Sequence, residues 1–256
     1  MSQKIAVTGA TGRVGSHLVE ILGQRGHDVV PIARSKGVDV VSGEGLDEAL
    51  VGVETIIDTA TGPSPDEQEA TAFFTTSARN LQRAGATAGA KRIVVVSIIG
   101  IDKFHGGYNA AKVAQEQTLL QGPLPVRIVR AAQFHEFVEQ LVGWTIQDGV
   151  AYLPEMRTQL VAARVVAEAL ADAAEEPDIQ NGRITEVAGP RDERLADAAA
   201  ALFASRGDSI EIRESRGGPL AEPDDPDAAA YADGAALPNP GAKLAGPSFE
   251  EWLAVA

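Results

Sequence analysis

Three side chains of complementary chemistry stand close together in the chain: Ser97, Tyr108 and Lys112. Tyr108 and Lys112 are four residues apart, so a helix places them on one face. An ammonium beside a phenol favours the phenolate, which lowers the phenol's pKa and makes it a better proton donor or acceptor. A serine hydroxyl can hydrogen-bond a carbonyl oxygen. Together the three suit acid–base chemistry at a carbonyl. The bland alternative is a partly buried helix tyrosine beside a solvated lysine.

A second chemical feature lies upstream. Thr8-Gly9-Ala10-Thr11-Gly12-Arg13-Val14-Gly15 joins an apolar run, Lys4–Thr8, to a segment whose apolar residues Val14, Leu18, Val19, Ile21 and Leu22 keep helical spacing. Glycines allow a tight turn and let backbone N–H groups approach a pyrophosphate, to which a helix N-terminus adds partial positive charge. Strand, glycine turn and amphipathic helix in that order predict a dinucleotide-binding site formed by Gly9, Thr11, Gly12, Arg13, Val14 and Gly15. A purely structural strand–helix turn is the alternative. With a dinucleotide bound, Lys112 could also hold the nicotinamide ribose.

The end of the second strand bears on which dinucleotide. Arg34-Ser35-Lys36 carries no acid, whereas an Asp or Glu there would bind free ribose hydroxyls. Arg34 offers a planar fork for a 2′-phosphate and Ser35 a hydroxyl donor, which favours NADP(H) over NAD(H). A solvated basic turn is the other reading of the same residues.

These residues need a frame. Buried strands are predicted at Lys4–Thr8, Val29–Ala33, Thr55–Thr59, Arg92–Val96, Val126–Arg130 and Arg183–Val187. Helices are predicted at Val14–Gln24, Leu46–Val51, Glu67–Gly85, Tyr108–Gln121 and Phe134–Gln147. Alternation of this kind predicts an α/β fold, a Rossmann-type doubly wound parallel sheet with ligands at the carboxyl ends of its strands. Ser97 would sit at that edge. Between the second strand and Val38–Val41 only Arg34–Gly37 intervene, too few for a parallel crossover, so Val38–Val41 reads as irregular and the usual helix as reduced to a turn.

Residues 1–150 read as the dinucleotide-binding core. Residues 151–256 read as a small C-terminal substrate-side lobe rather than an independent domain. That part offers helices at Val161–Ala174 and Leu195–Ser205, a loop over Glu214–Gly241, and a final helix N-capped by Ser248.

With 22 Lys plus Arg against 36 Asp plus Glu, the formal charge of −14 argues against nucleic acid or an anionic membrane as partner. There is no Cys and hence no disulfide, thiolate nucleophile or cysteine zinc site. The histidines at 17, 27, 105 and 135 lack metal-ligand spacing, so no metal is expected. Phe73 and Phe74 read as core packing, and no flavin is expected. No secretory signal or membrane span is evident, which makes a cytoplasmic location the default. The expected partner is a small-molecule substrate; a homodimer is left open.

Thr8–Gly15, Ser97-Ile98-Ile99-Gly100-Ile101-Asp102, Tyr108-Asn109-Ala110-Ala111-Lys112 and Arg130-Ala131-Ala132-Gln133-Phe134-His135 resemble the atypical short-chain dehydrogenase/reductases, and most of all their NmrA-like NAD(P)H-binding members. The resemblance runs from residue 1 to about 205 and is specific in the first 140. It implies a Rossmann fold, NADP(H) and, in enzymatic members, reduction of quinones, carbonyls or related acceptors. Tyr108 would then be the acid/base, Lys112 its activator and ribose ligand, and Ser97 the hydroxyl that orients substrate.

Thr59, Ala60 and Thr61, after the third strand, are expected to line the cofactor crevice through their backbone. Ala132 and Gln133 are expected on the nicotinamide side, with Phe134, His135 and His105 toward substrate. His135 reads equally well as a core histidine, and Asn80 as structural. The chain departs from the family in the shortened Gly43-Glu44-Gly45 stretch, where an Asp near the adenine is usual. It departs again at Arg164-Val165-Val166-Ala167, where the family commonly shows an Asp-Val-Ala helix start. The expected activity is hydride transfer with an NADP(H) cofactor. A non-catalytic NADP(H)-sensing regulator, as many NmrA-like proteins are, is the alternative, and an epimerase or dehydratase a third.

Overall fold

The computed structural model describes residues 2–178, 180–215 and 227–255. Its first half alternates strand and helix: β1 (Lys4–Thr8), α1 (Arg13–Gln24), β2 (Asp28–Ile32), α2 (Leu46–Ala49), β3 (Thr55–Asp58), α3 (Glu67–Ala88), β4 (Arg92–Ile98), α4 (Gly107–Leu120) and β5 (Val126–Ala131). Then follow α5 (Phe137–Thr145), β6 (Ile146–Gln147), β7 (Val150–Pro154), β8 (Arg157–Thr158), α6 (Ala163–Glu175), β9 (Arg183–Ala188), β10 (Glu193–Arg194), α7 (Leu195–Arg206), β11 (Glu211–Ser215), α8 (Asp227–Ala232), β12 (Lys243–Leu244) and α9 (Phe249–Leu253).

Seven strands form one parallel sheet in the order β12-β9-β5-β4-β3-β1-β2, a Rossmann-type α/β fold. The order reverses at β1, which lies between β2 and β3. Such a switch point leaves a crevice at the strands' carboxyl ends. Register levels those ends: Thr8 lies beside Ile32 of β2 and beside Asp58 of β3. Every residue of β3 is buried, as a strand covered on both faces requires.

The chain divides into two compact units that interleave along the sequence. The first takes Met1–Ser97, Gly107–Arg130 and Val166–Thr185; the second takes Ile98–Gly106, Ala131–Val165 and Glu186–Ala256. The first has its own core, with Leu46, Leu50, Ile56, Leu81, Ile93 and Ile128 fully buried. The second packs Val138, Leu153, Leu160, Leu195, Leu202 and Phe249 together. It also carries a three-stranded sheet ordered β11-β7-β6 and the β10–β8 pair.

Local chemistry explains the element ends. Asp66 caps α3 by accepting from the Glu69 amide, and Gly89 closes it in the left-handed region. Ser248 opens α9 with a full capping box, its hydroxyl accepting from the Glu251 amide while the Glu251 carboxylate accepts from Ser248 N–H. After β2 the chain makes one 3₁₀ turn, Arg34–Lys36, and no helix until α2. Val38–Val41 forms no strand. Asp39 caps its own turn through the Val41 and Ser42 amides, and Asn80 of α3 donates to the Val40 and Val41 carbonyls. Asn80 is thus structural. Of the expected Glu214–Gly241 loop, 216–226 lie outside the described residues, and the rest includes the end of β11 and all of α8.

Candidate active site

The glycine turn is built from backbone alone. Gly9 adopts φ +63°, a left-handed conformation, and a Cβ there would lie 2.7 Å from the Thr59 carbonyl oxygen. A Cβ on Gly15 would lie 2.1 Å from the Gly9 oxygen, so the first turn of α1 rests directly on the loop. The Gly12 amide closes the turn by donating to Gly9, and the Thr59 hydroxyl donates to the Thr8 carbonyl from the neighbouring strand. Gly12 is the N-cap of α1, and no side chain caps the helix. No acid stands in its first turn either. An uncapped, acid-free N-terminus above a loop that excludes Cβ atoms fits a dinucleotide's pyrophosphate. Gly9, Thr11, Gly12, Arg13, Val14 and Gly15 would hold it.

Arg34, Ser35 and Lys36 are all exposed beyond the end of β2. The guanidinium of Arg34 has no ion-pair partner among the described residues.

Farther along the chain, α4 packs against α3, and Tyr108 sits edge-on to Phe74 with ring centroids 5.5 Å apart. Phe74 is fully buried against Ala70 and Ala111, as a core residue is. The Tyr108 hydroxyl lies 3.0 Å from the Thr61 hydroxyl. Burial pushes the phenol's pKa up, and the bond to Thr61 pulls the other way. The phenol is therefore protonated at neutral pH. The lowered pKa expected from a neighbouring ammonium is not what the geometry gives, because Lys112 points elsewhere.

Lys112 is buried, 5% exposed, and its Nζ donates to the Val96 carbonyl oxygen at 2.9 Å and to the Gln115 side-chain oxygen. The same ammonium stands 4.5 Å from the centre of the Phe74 ring. Gln115 in turn donates through Nε2 to Asp58 at 2.9 Å. The other Asp58 oxygen accepts from the Thr8 hydroxyl and from the Ala60 amide. Burial lowers the pKa of Lys112 to about 8, against the opposing charges of Asp58 and Glu116.

Ser97 lies inside β4 rather than just past it, and its buried hydroxyl has no hydrogen-bond partner among the described residues. An unsatisfied buried hydroxyl is costly unless something else meets it. Tyr108, Lys112, Thr61 and Ser97 all belong to the first unit.

The remaining expected site residues lie in the second unit. Ala132 is buried with its amide on the Val187 carbonyl, and the Gln133 side chain accepts from the Thr158 hydroxyl. Phe134 bridges in parallel to Val161. His135 is fully buried, donates through Nε2 to the Leu160 carbonyl, and is flanked by the rings of Phe249 and Trp252. That setting fits the core-histidine reading. His105 exposes its ring, while its amide and that of Gly106 donate to the buried Asp227 carboxylate.

Sequence reasoning missed Gln115 and the hydroxyl of Thr61. The signal for Gln115 was present: it stands three residues after Lys112 and so shares its helix face. For Thr61, on a loop, spacing offers nothing comparable. Among the described residues no group of three or more His, Asp or Glu could hold a metal, and no helix is long and apolar enough to cross a membrane.

These features define a nicotinamide-dinucleotide-binding Rossmann protein. A family described as NAD(P)H-binding matches residues 9–177, and the chain belongs to it. This agrees with the resemblance to atypical short-chain dehydrogenase/reductases and their NmrA-like members. Over 160 residues the chain is 29% identical to a 4-hydroxy-tetrahydrodipicolinate reductase of Natronomonas pharaonis, covering 61% of this chain and 54% of that one. The chain thus spans about half the length of the curated relative it matches. Among solved structures it is similar to an NADPH-dependent quinone oxidoreductase of Escherichia coli, with TM-score 0.67, 19% identity and 98% of each chain covered. It is similar also to the Bordetella bronchiseptica enzyme WbmH in complex with NAD+, with TM-score 0.72, 19% identity, and 99% and 97% of the two chains covered. A third is the dTDP-4-dehydrorhamnose reductase of Bacillus anthracis in complex with NADP, with TM-score 0.70, 19% identity, and 98% and 97% covered.

Proposed function

We propose that the protein is an NADP(H)-dependent oxidoreductase that reduces a quinone, enone or other carbonyl, with Tyr108 as proton donor. The observation that carries this reading is the setting of Tyr108: a half-buried phenol, hydrogen-bonded to Thr61, whose pKa burial raises above its ordinary value. A protonated phenol suits donation to a carbonyl oxygen that gains negative charge as it is reduced. Ser97 adds a second donor, its hydroxyl buried and unmatched. Bound at the glycine turn, the nicotinamide dinucleotide supplies the hydride. Gly9, Gly12 and Gly15 hold its phosphates, Arg34 and Ser35 its 2′-phosphate, and Thr59 to Thr61 line its path. The similarity to an NADPH-dependent quinone oxidoreductase supports the same reading.

One observation favours a second reading, a dinucleotide sensor without turnover. Two of the three Lys112 N–H groups are already committed to Gln115 and Val96, so the ammonium is not fully presented to a ribose or to Tyr108. The two readings separate in one experiment. NADPH consumption measured across a panel of quinones and ketones should show turnover, and Tyr108→Phe should lower kcat by about 10²–10⁴-fold with NADPH affinity unchanged. Binding of NADPH with no oxidation by any acceptor makes the protein a sensor. Unchanged kcat in Tyr108→Phe removes Tyr108 from the reaction.

A further inference from the structure

We propose that Gln115 is a positioning residue that ties Lys112 to Asp58 and governs where the ammonium sits and when it is charged. The inference rests on the oxidoreductase reading only for its catalytic consequence; the tie itself is a property of the chain without ligand.

Gln115 is almost wholly buried and spans two charges of opposite sign. Its Oε1 accepts from the Lys112 ammonium, and its Nε2 donates to the Asp58 carboxylate. The partners fix the amide's orientation, since an ammonium can only donate and a carboxylate can only accept. A flipped amide would set NH₂ against NH₃⁺ and oxygen against carboxylate, so the arrangement has one stable sense. The amide thereby links the two groups by hydrogen bonds, alongside the direct attraction of the Asp58 charge for the ammonium.

The charged and titratable groups around Lys112 are few. Asp58 comes from β3. Glu116 comes from its own helix, but it is already paired at 2.9 Å with Arg130 of β5. Tyr108 shares the helix face, while α3 contributes only the Phe74 ring and β4 only the Val96 carbonyl. Asp58 is therefore the counter-charge not otherwise neutralised, and Gln115 is its link. Asp58 also receives the Thr8 hydroxyl and the Ala60 amide, which flank Gly9 and Thr59. The lysine of the reacting end and the turn that would seat the phosphates are held by one buried chain of hydrogen bonds. With Gln115 and Val96 each taking one N–H, a single N–H remains for any further acceptor.

The test uses the full chain without dinucleotide, with side-chain ¹³Cε and ¹⁵Nζ label in lysine, and follows each lysine by NMR against pH. The Lys112 signal, assigned by its loss in Lys112→Arg, should titrate with a midpoint near about 8. Gln115→Leu should lower that midpoint by about one pH unit, the size of a lost charge-stabilising hydrogen bond. Gln115→Glu, which sets a carboxylate against the ammonium, should raise it. Asp58→Asn should also lower it, and the double variant Gln115→Leu with Asp58→Asn should fall by less than the sum of the two singles, because part of each shift is carried by the same link. An unmoved midpoint in Gln115→Leu, or shifts that simply add in the double variant, overturns the tie. Where Gln115→Leu fails to fold, Gln115→Glu carries the test, and an unmoved or lowered midpoint in it is equally fatal. The alkaline limb of kcat should follow the NMR midpoint from variant to variant while KM for NADPH stays put. A midpoint that moves without any change in that limb overturns the part given to Lys112 in the reaction, and leaves the tie intact.

Discussion

Tyr108 and Lys112 share a helix face four residues apart, yet each is held by a different neighbour: the phenol by Thr61, the ammonium by Gln115 and Val96. Spacing made the pair visible in the sequence, because helical periodicity alone brings such residues to one side. It could not show Val96 of β4 or Thr61 of the loop after Asp58 as partners, although Gln115, three residues beyond Lys112, shares its helix face. Nor could it show that burial, rather than the ammonium, dominates the phenol's proton affinity. The glycines were legible for a different reason: their lack of a side chain is the feature the turn uses. Gly15 makes the sharpest case, with a Cβ only 2.1 Å from the Gly9 oxygen. Since that contact is backbone on one side, Gly15→Ala must open the turn. The expected outcome is a loss of NADPH affinity of at least about tenfold by fluorescence titration, together with a stability cost of about 2 kcal/mol in urea denaturation. Wild-type affinity in Gly15→Ala would show that the turn is not where the phosphates sit.

Among the elements, the connection after β2 carries the most information. A crossover to a parallel strand needs a dozen or so residues, and Arg34–Gly37 is too short for one; that count was enough to anticipate an irregular Val38–Val41. What length could not supply is the means by which an irregular segment stays ordered. Asn80 provides it, donating to two of its carbonyls from α3. The same shortening leaves Arg34 on a single 3₁₀ turn, exposed and without an ionic partner among the described residues. A guanidinium so placed can meet a 2′-phosphate as a charge-assisted pair worth about 1.5–3 kcal/mol. Arg34→Ala should therefore weaken NADPH binding by about 10–100-fold and NADH binding hardly at all, measured by calorimetry with both nucleotides. Equal losses for the two would refute the assignment.

Across the whole molecule, packing rather than chain order decides the grouping: Val166–Thr185 belongs with the first unit, and Ile98–Gly106 with the second. Composition, which changes after about residue 148, carries no trace of such threading. The second unit's core holds a titratable group, His135, whose pKa is lowered from 6.5 chiefly by burial. Its folded pKa thus lies below the unfolded one, so the unfolded chain binds more protons in between. Stability is fully present above about pH 6.5 and falls as pH drops through that window toward the folded pKa. Denaturation by urea at about pH 7.5 and about pH 5.5 should show this slope, and His135→Gln, which keeps a donor for Leu160 without titrating, should flatten it. An identical slope in the variant would place the acid sensitivity elsewhere.

The uncapped first turn of α1 carries backbone N–H groups that gain or lose no proton under ordinary conditions, while Lys112 has its pKa lowered by burial to about 8. Occupancy and chemistry therefore answer to different variables. Ionic strength, which screens charge at a helix end, acts on how long the dinucleotide stays. Acidity in the mildly alkaline range acts on what happens while it is there. Under the oxidoreductase reading proposed above, a rise in pH through that range should lower kcat while leaving NADPH affinity unchanged, as paired kinetic and binding titrations would show.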